Sequence, residues 1–141
     1  MKNEFEQISV KSGFMKHNGG VLFKTISENE YQFKATIKEN HLNAAGITHG
    51  GFIAALVDAG AGTAAHRVAE KNPCVTISLE LKFISTVRLG QELMGKTKIQ
   101  KKTKSMIFLT CEMFADNKIV ATASGVWKIL REKLPGVGLG G

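Results

Sequence analysis

Cysteine is scarce in this chain. Of 141 residues only Cys74 and Cys111 are cysteine, too few for the disulfide scaffold of a small secreted domain, and their spacing fits no zinc motif. A reducing, cytoplasmic setting is the simplest one, and no metal or cofactor site is expected. Met1 to Lys11 contains no continuous apolar run, so no secretory signal is expected. The most apolar stretch, Gly51 to Ala65, is broken by Asp58 and falls short of the ~20 residues that span a bilayer. A membrane partner is therefore not expected. No repeat or linker divides the chain, which reads as one domain over residues 1–141. Residues 1–18 read as an N-terminal segment, and the glycine-rich residues 134–141 are expected to form a flexible tail. No serine or cysteine nucleophile with an evident histidine partner stands out; Cys111 falls in an apolar strand and reads as core.

What the chain has in excess is positive charge, a formal net of +7. Such a balance favours anionic partners, among them phosphorylated cofactors and acidic carrier proteins. No nucleic-acid motif accompanies it, and no nucleic-acid partner is expected. Lys98, Lys101, Lys102 and Lys104 near a hairpin, with Arg88, are the candidates for holding phosphates. Lysines at a turn are also common on any solvated surface.

Periodicity supplies the architecture. Apolar residues at Phe5, Ile8 and Met15 predict a short helix within Asn3 to Lys16. Tyr31, Phe33, Ala35 and Ile37 alternate with polar residues, the pattern of a strand with one wet face. Val21 to Ser27 is its hairpin partner across the turn Ser27 to Glu30. A helical segment from about His49 to Ala69 is apolar on every side over Phe52 to Val57, as expected of a helix enclosed by protein. Gly60 and Gly62 cost roughly 1 kcal/mol each in a helix interior, which points to something packed close against the backbone there. Asn72-Pro73 closes the element. Strands follow at Val75 to Phe83, Gln91 to Lys102, Met106 to Ala115 and Lys118 to Leu130. The class is α+β: a mostly antiparallel sheet curled around one long helix, with free edges that invite a second copy.

The unusual residues gather in Asn43 to Asp58. Asn43 reads singly as a turn residue, Thr48 as an N-cap, His49 as a cap or helix start, and Gly50-Gly51 as a tight entry. Asp58 is harder to explain as structure, because an unpaired carboxylate in an apolar helix carries a large desolvation cost. A helix beginning at Gly50 and Gly51 offers unpaired amides and a positive dipole end to a carbonyl oxygen. Asp58 is suited to act as nucleophile or as base for water. The eight residues between Gly50 and Asp58 span ~12 Å of helix, too far for both to reach one carbon. A shared site therefore needs Asp58 from a second copy, which a two-fold dimer provides twice over.

From about Asn40 to Leu130 the sequence resembles the hotdog-fold acyl-CoA thioesterases, in particular the phenylacetyl-CoA thioesterase-like (PaaI/THEM-type) branch. The most specific part is Asn43-x-x-Gly46-x-x-His49-Gly50-Gly51 followed by Leu56-Val57-Asp58, and Thr76 to Phe83 resembles the strand after the family's central helix. The resemblance implies a hotdog fold assembled as dimers that often pair into tetramers. It implies that Asn43 and His49 border the thioester and that the Gly50 amide, beside Gly51, polarises its carbonyl. Asp58 of the opposing subunit then acts on the carbonyl carbon, and a hydroxyl on the next strand, Thr76, positions water or substrate. Thr76 falls on the polar face of its strand, which Ser78 shares as an alternative. Phe52, Ile53, Met106 and Phe108 are candidates for the acyl pocket. Two other readings stand beside hydrolysis. A hotdog dehydratase or hydratase would want a glutamate further along the helix, near where this chain has Thr63. A non-catalytic acyl-CoA-binding module would need no turnover.

Overall fold

The computed structural model describes residues 4–131; the tail expected at 134–141 lies outside them. Seven strands form one sheet: β1 (Glu6–Gln7), β2 (Leu22–Thr25), β3 (Glu30–Thr36), β4 (Cys74–Phe83), β5 (Glu92–Lys102), β6 (Met106–Ala115) and β7 (Lys118–Ile129). A single helical turn, α1 (Phe14–His17), follows β1, and a 3-10 turn at Glu39–His41 precedes the long helix α2 (Gly50–Val68). The sheet order is β1-β2-β3-β5-β6-β7-β4, and every neighbouring pair is antiparallel.

The period-two segments form strands with the expected faces. Tyr31, Phe33 and Ile37 are buried toward α2, as are Ile107, Leu109, Cys111 and Met113 of β6. Asp116 and Asn117 both take positive φ, 50° and 62°, in the two-residue turn between β6 and β7, a backbone that Asp and Asn tolerate better than other residues with a Cβ. The N-terminal expectation fails: Glu6 and Gln7 pair with Phe23 and Leu22 as an edge strand, and only Phe14–His17 is helical. Three apolar residues across fourteen positions fit either structure, and pairing with β2 satisfies backbone groups that a lone short helix would leave to water.

Close packing holds α2 onto the sheet. Phe33 is fully buried, with its ring between two glycines; a Cβ at Gly60 of α2 or at Gly95 of β5 would stand 2.2 Å from it. At Gly62 the indole of Trp127 takes the same role at 3.3 Å. Both helix glycines thus trade helix propensity for proximity to an aromatic ring.

One expectation about α2 needs correction. The helix is not enclosed on every side: Gly51 and Asp58 are exposed and Ala54, Ala55 and Gly62 half-buried, so one face is open. The sheet wraps the rest, and beyond it β4 is an edge strand whose second side pairs with nothing among the described residues.

A methyl at Gly60 tests the clamp. Overpacking costs typically 1–3 kcal/mol, offset by about 1 kcal/mol of helix propensity. Gly60→Ala is therefore expected to lower the urea midpoint of unfolding by the equivalent of up to about 2 kcal/mol; an unchanged or raised midpoint would mean that Phe33 yields freely.

Candidate active site

The loop before α2 is built from its own side chains. Asn43 Oδ1 accepts from the amides of Ala45 (2.9 Å) and Ile47 (3.3 Å), and Gly46 closes the turn at φ +80° with its N–H on Asn43 O (3.0 Å). Buried Thr48 ties the loop to the segment after β4, its amide and hydroxyl both donating to Val87 O at 2.8 and 2.7 Å. His49 N–H donates to His41 O at 2.8 Å.

His41, which the sequence reading passed over, is the anchor behind this loop. Its ring is buried and stacked on Phe52 at 3.7 Å between centroids. Nδ1 accepts from the Lys38 amide at 2.9 Å, and Nε2 lies 2.6 Å from Asn18 O. That pairing puts the proton on Nε2. Phe52 is consequently part of this stack, whereas Ile53 faces the cleft described below.

At the helix start His49 is the N-cap, and its Nδ1 accepts from Gly51 N–H at 2.7 Å. The expected pair of free amides is thus reduced to one. Gly51 N–H is satisfied by the cap, while Gly50 N–H finds no acceptor among the described residues. Accepting at Nδ1 also leaves the His49 ring with its proton on Nε2, as a donor at an exposed position. Gly50 opens onto a cleft of about 330 Å³ lined by Asn43, Ile53, Phe83, Ile84 and Thr86 among others, with the Phe83 ring 3.4 Å from where a Gly50 Cβ would be.

Asp58 lies along the same helix on its open face, exposed and outside that cleft. A single chain therefore imposes little of the desolvation expected for it. Thr76 Oγ1 donates to Asp58 Oδ1 at 2.6 Å, a short bond of the kind a carboxylate accepts from a hydroxyl.

A bulge decides which hydroxyl this is. Thr76 pairs with Trp127 and Ser78 with Val126, the next residue back along β7, so Ile77 is an extra residue in β4. Thr76 consequently shares the helix-facing side with Trp127, and Ser78 falls on the opposite face with half-buried Val126. Strict alternation put the two on one face; the bulge separates them.

Other candidates are dispersed. Met106 and Phe108 alternate with buried Ile107 and Leu109, which puts them on the outer face of the sheet, away from the cleft. Arg88 precedes β5 and Lys101 and Lys102 end it, so about 33 Å of strand separates them. One chain does not bring Arg88 and the lysines together. The Thr63 hydroxyl donates to Ala59 O at 2.8 Å inside the helix and is not presented to a substrate. No group of three or more metal-ligating side chains gathers among the described residues. Among the same residues no helix is long and apolar enough to cross a membrane.

A curved antiparallel sheet around one long helix defines the hotdog fold. The sequence pattern of the thioesterase superfamily matches residues 45–122, and the chain belongs to that family. It is 35% identical over 94 residues to a Pseudomonas aeruginosa protein named among the esterases, covering 66% of this chain and 70% of that one. It is 30% identical over 88 residues to Homo sapiens acyl-coenzyme A thioesterase 13, covering 60% and 62%. Among solved structures it superposes on zebra fish thioesterase superfamily member 2 with a TM-score of 0.78, at 18% identity over 86% of this chain and 90% of that one. Its class of reaction is thioester hydrolysis.

The two thiols bear on any assay that detects released thiol. Burial pushes Cys74 up to about 11 and Cys111 up to about 12, from 9.0. Native protein at pH 8 is thus expected to react slowly with a thiol reagent and urea-unfolded protein to release both thiols at once. Because the folded state holds these protons more tightly, its stability is expected to fall as pH rises from about 9 toward 12. Urea midpoints across that range check the sign.

Proposed function

We propose that the protein hydrolyses an acyl or aryl-acyl thioester of coenzyme A to the free acid and CoA, as a dimer whose two sites each draw on both subunits. The observation that carries this reading is the separation of two reactive features on one helix. The unpaired Gly50 amide opens onto the cleft, and the Thr76-bonded Asp58 lies eight residues further along the open face. A two-fold copy seated on that face would bring Asp58 of one subunit to the Gly50 amide of the other. The edge of β4, which pairs with nothing among the described residues, and the exposed Ile77, Phe83 and Ile84 near it support such a seat.

In this arrangement the Gly50 amide, at the positive end of α2, hydrogen-bonds the thioester oxygen and stabilises the negative charge that forms when the carbon is attacked. Asp58 either removes a proton from the attacking water or adds to the carbon itself; in the second case water then cleaves the anhydride. Collapse expels the CoA thiolate, which leaves as thiol after taking up a proton. Thr76 holds one carboxylate oxygen and so aims the other. Asn43 and His49 flank the thioester, with His49 Nε2–H as a donor. The two free thiols accord with a cytoplasmic enzyme.

Gly50→Pro removes the amide while fitting the chain: proline is well accepted at the first helical position, and His49 already has the extended backbone (φ −65°, ψ 130°) that a following proline requires. Asp58→Asn is expected to lower kcat on acyl-CoA by roughly 10²–10⁴-fold, and Gly50→Pro by roughly 10²–10³-fold. Co-expressed together, the two variants should form hybrid dimers with one working site and recover measurable turnover. Near-wild-type activity in Asp58→Asn, or no recovery in isolated hybrids, refutes the shared site. Gel filtration separates a dimer from a dimer of dimers.

A further inference from the structure

A second polar cavity, of about 400 Å³, sits at the far end of α2. Its lining includes Lys102, Lys104 and Arg131 against one carboxylate, Glu70, with Asn72 and Thr103 between them. The Arg131 guanidinium donates to Lys104 O, so the two cationic residues are tied to one hairpin end. Thr103 Oγ1 accepts from the amides of Ser105 (3.3 Å) and Met106 (2.9 Å), which shapes that hairpin. A bulge in β5 selects the lysines that reach the cavity. Lys101 pairs with Phe108 on the outer face of the sheet, and Lys102 pairs with Ile107 on the helix side.

The cavity lies at a telling distance from Asp58. Ala69, which contributes to its wall, is eleven residues beyond Asp58, or ~16 Å of helix. A pantetheine arm has thirteen bonds from its sulfur to the first phosphorus. At the advance of an extended chain, about 1.2 Å per bond, this is also ~16 Å. Both marks are on the same chain, so the match does not depend on how two copies assemble. Gly62 and His66 continue the face of Asp58 at intervals of four residues, and both are only half-buried.

We propose that this cavity holds the phosphates of coenzyme A, with Lys102, Lys104 and Arg131 as the contacts, and that it belongs to the subunit whose Asp58 acts on the thioester. The inference rests on the hydrolase reading above. The carrier is then CoA itself rather than a carrier protein, because a free diphosphate can enter the cavity whole, whereas a protein-bound arm presents a single phosphodiester at a protein surface. Lys101 and Arg88 take no part.

The test compares an acyl-CoA, the same acyl group on N-acetylcysteamine, which has no phosphate, and the same group on an acyl carrier protein. The triple variant Lys102→Ala/Lys104→Ala/Arg131→Ala is expected to raise KM for acyl-CoA by roughly tenfold or more, since charge-assisted phosphate contacts are lost. Its kcat and its kcat/KM on the truncated substrate should stay at the wild-type level, and so should KM for acyl-CoA in Lys101→Ala/Arg88→Ala. An unchanged KM for acyl-CoA in the triple variant overturns the proposal, and so does an equal rise on the truncated substrate. A carrier-protein thioester turned over more efficiently than acyl-CoA overturns it as well. Calorimetry with CoA alone separates the two readings. Binding by wild-type protein that the triple variant weakens supports the cavity even if no substrate is hydrolysed, and absence of CoA binding to wild-type protein refutes it.

Discussion

The ring of Phe33, pressed between Gly60 of α2 and Gly95 of β5, sets how deeply the helix lies in the sheet. Only hydrogen at both positions admits the ring, so the three residues form one joint between helix and strands. Trp127 repeats the contact two residues along the helix at Gly62. With the axis held at these points, the direction of α2 is settled and so is the position of everything it carries, from the cap at His49 to the carboxylate at Asp58. Rigid interiors transmit such placement because side chains there leave little free space.

Around that axis the chain arranges two different chemical ends. The N-terminal end is pinned by hydrogen bonds: His41 to Asn18 and Lys38, Thr48 to Val87, His49 to its own Gly51 amide. The result is a single backbone amide, that of Gly50, without an acceptor among the described residues where the helix dipole is positive. The C-terminal end meets the β5–β6 hairpin, where cations outnumber carboxylates. Asp58 stands between, on the one face the sheet does not cover. Near Asp58 the open face carries small residues, Gly51, Ala54, Ala55 and Gly62, which lets another surface come close there without steric conflict.

Much of this was readable from the residues. Strand alternation reports local burial, and so the wet-faced strand at Tyr31 to Lys38 and the long helix emerged with nearly their observed limits. The two helix glycines pointed to close contact, though not to Phe33 or Trp127, since the partner in a long-range contact leaves no local trace. The same limit explains the misses. Glu6–Gln7 joins the sheet only because β2 is there to receive it. Asp58 is exposed because the sheet covers only part of α2, and a run that is apolar on all sides, such as Phe52 to Val57, does not reveal which side stays uncovered. His41 gave no periodic signal at all; a single buried histidine is recognisable only once its partners are in place. The face of Thr76 depended on an extra residue that period-two reasoning has no means to detect.

That extra residue has an implication for how β4 tolerates change. Ile77 lies between two residues that pair with consecutive positions of β7, so excising it would join Thr76 to Ser78 in perfect alternation and turn no remaining side chain to the other face. Loss of any other single residue, absorbed by closing the bulge, would instead turn the residues between it and the bulge to the opposite face. Ile77 is thus the one position in β4 where a deletion alters the bend of the strand while leaving its reading frame intact, and a shortened relative aligned without a gap there would misassign the hydroxyl that meets the carboxylate.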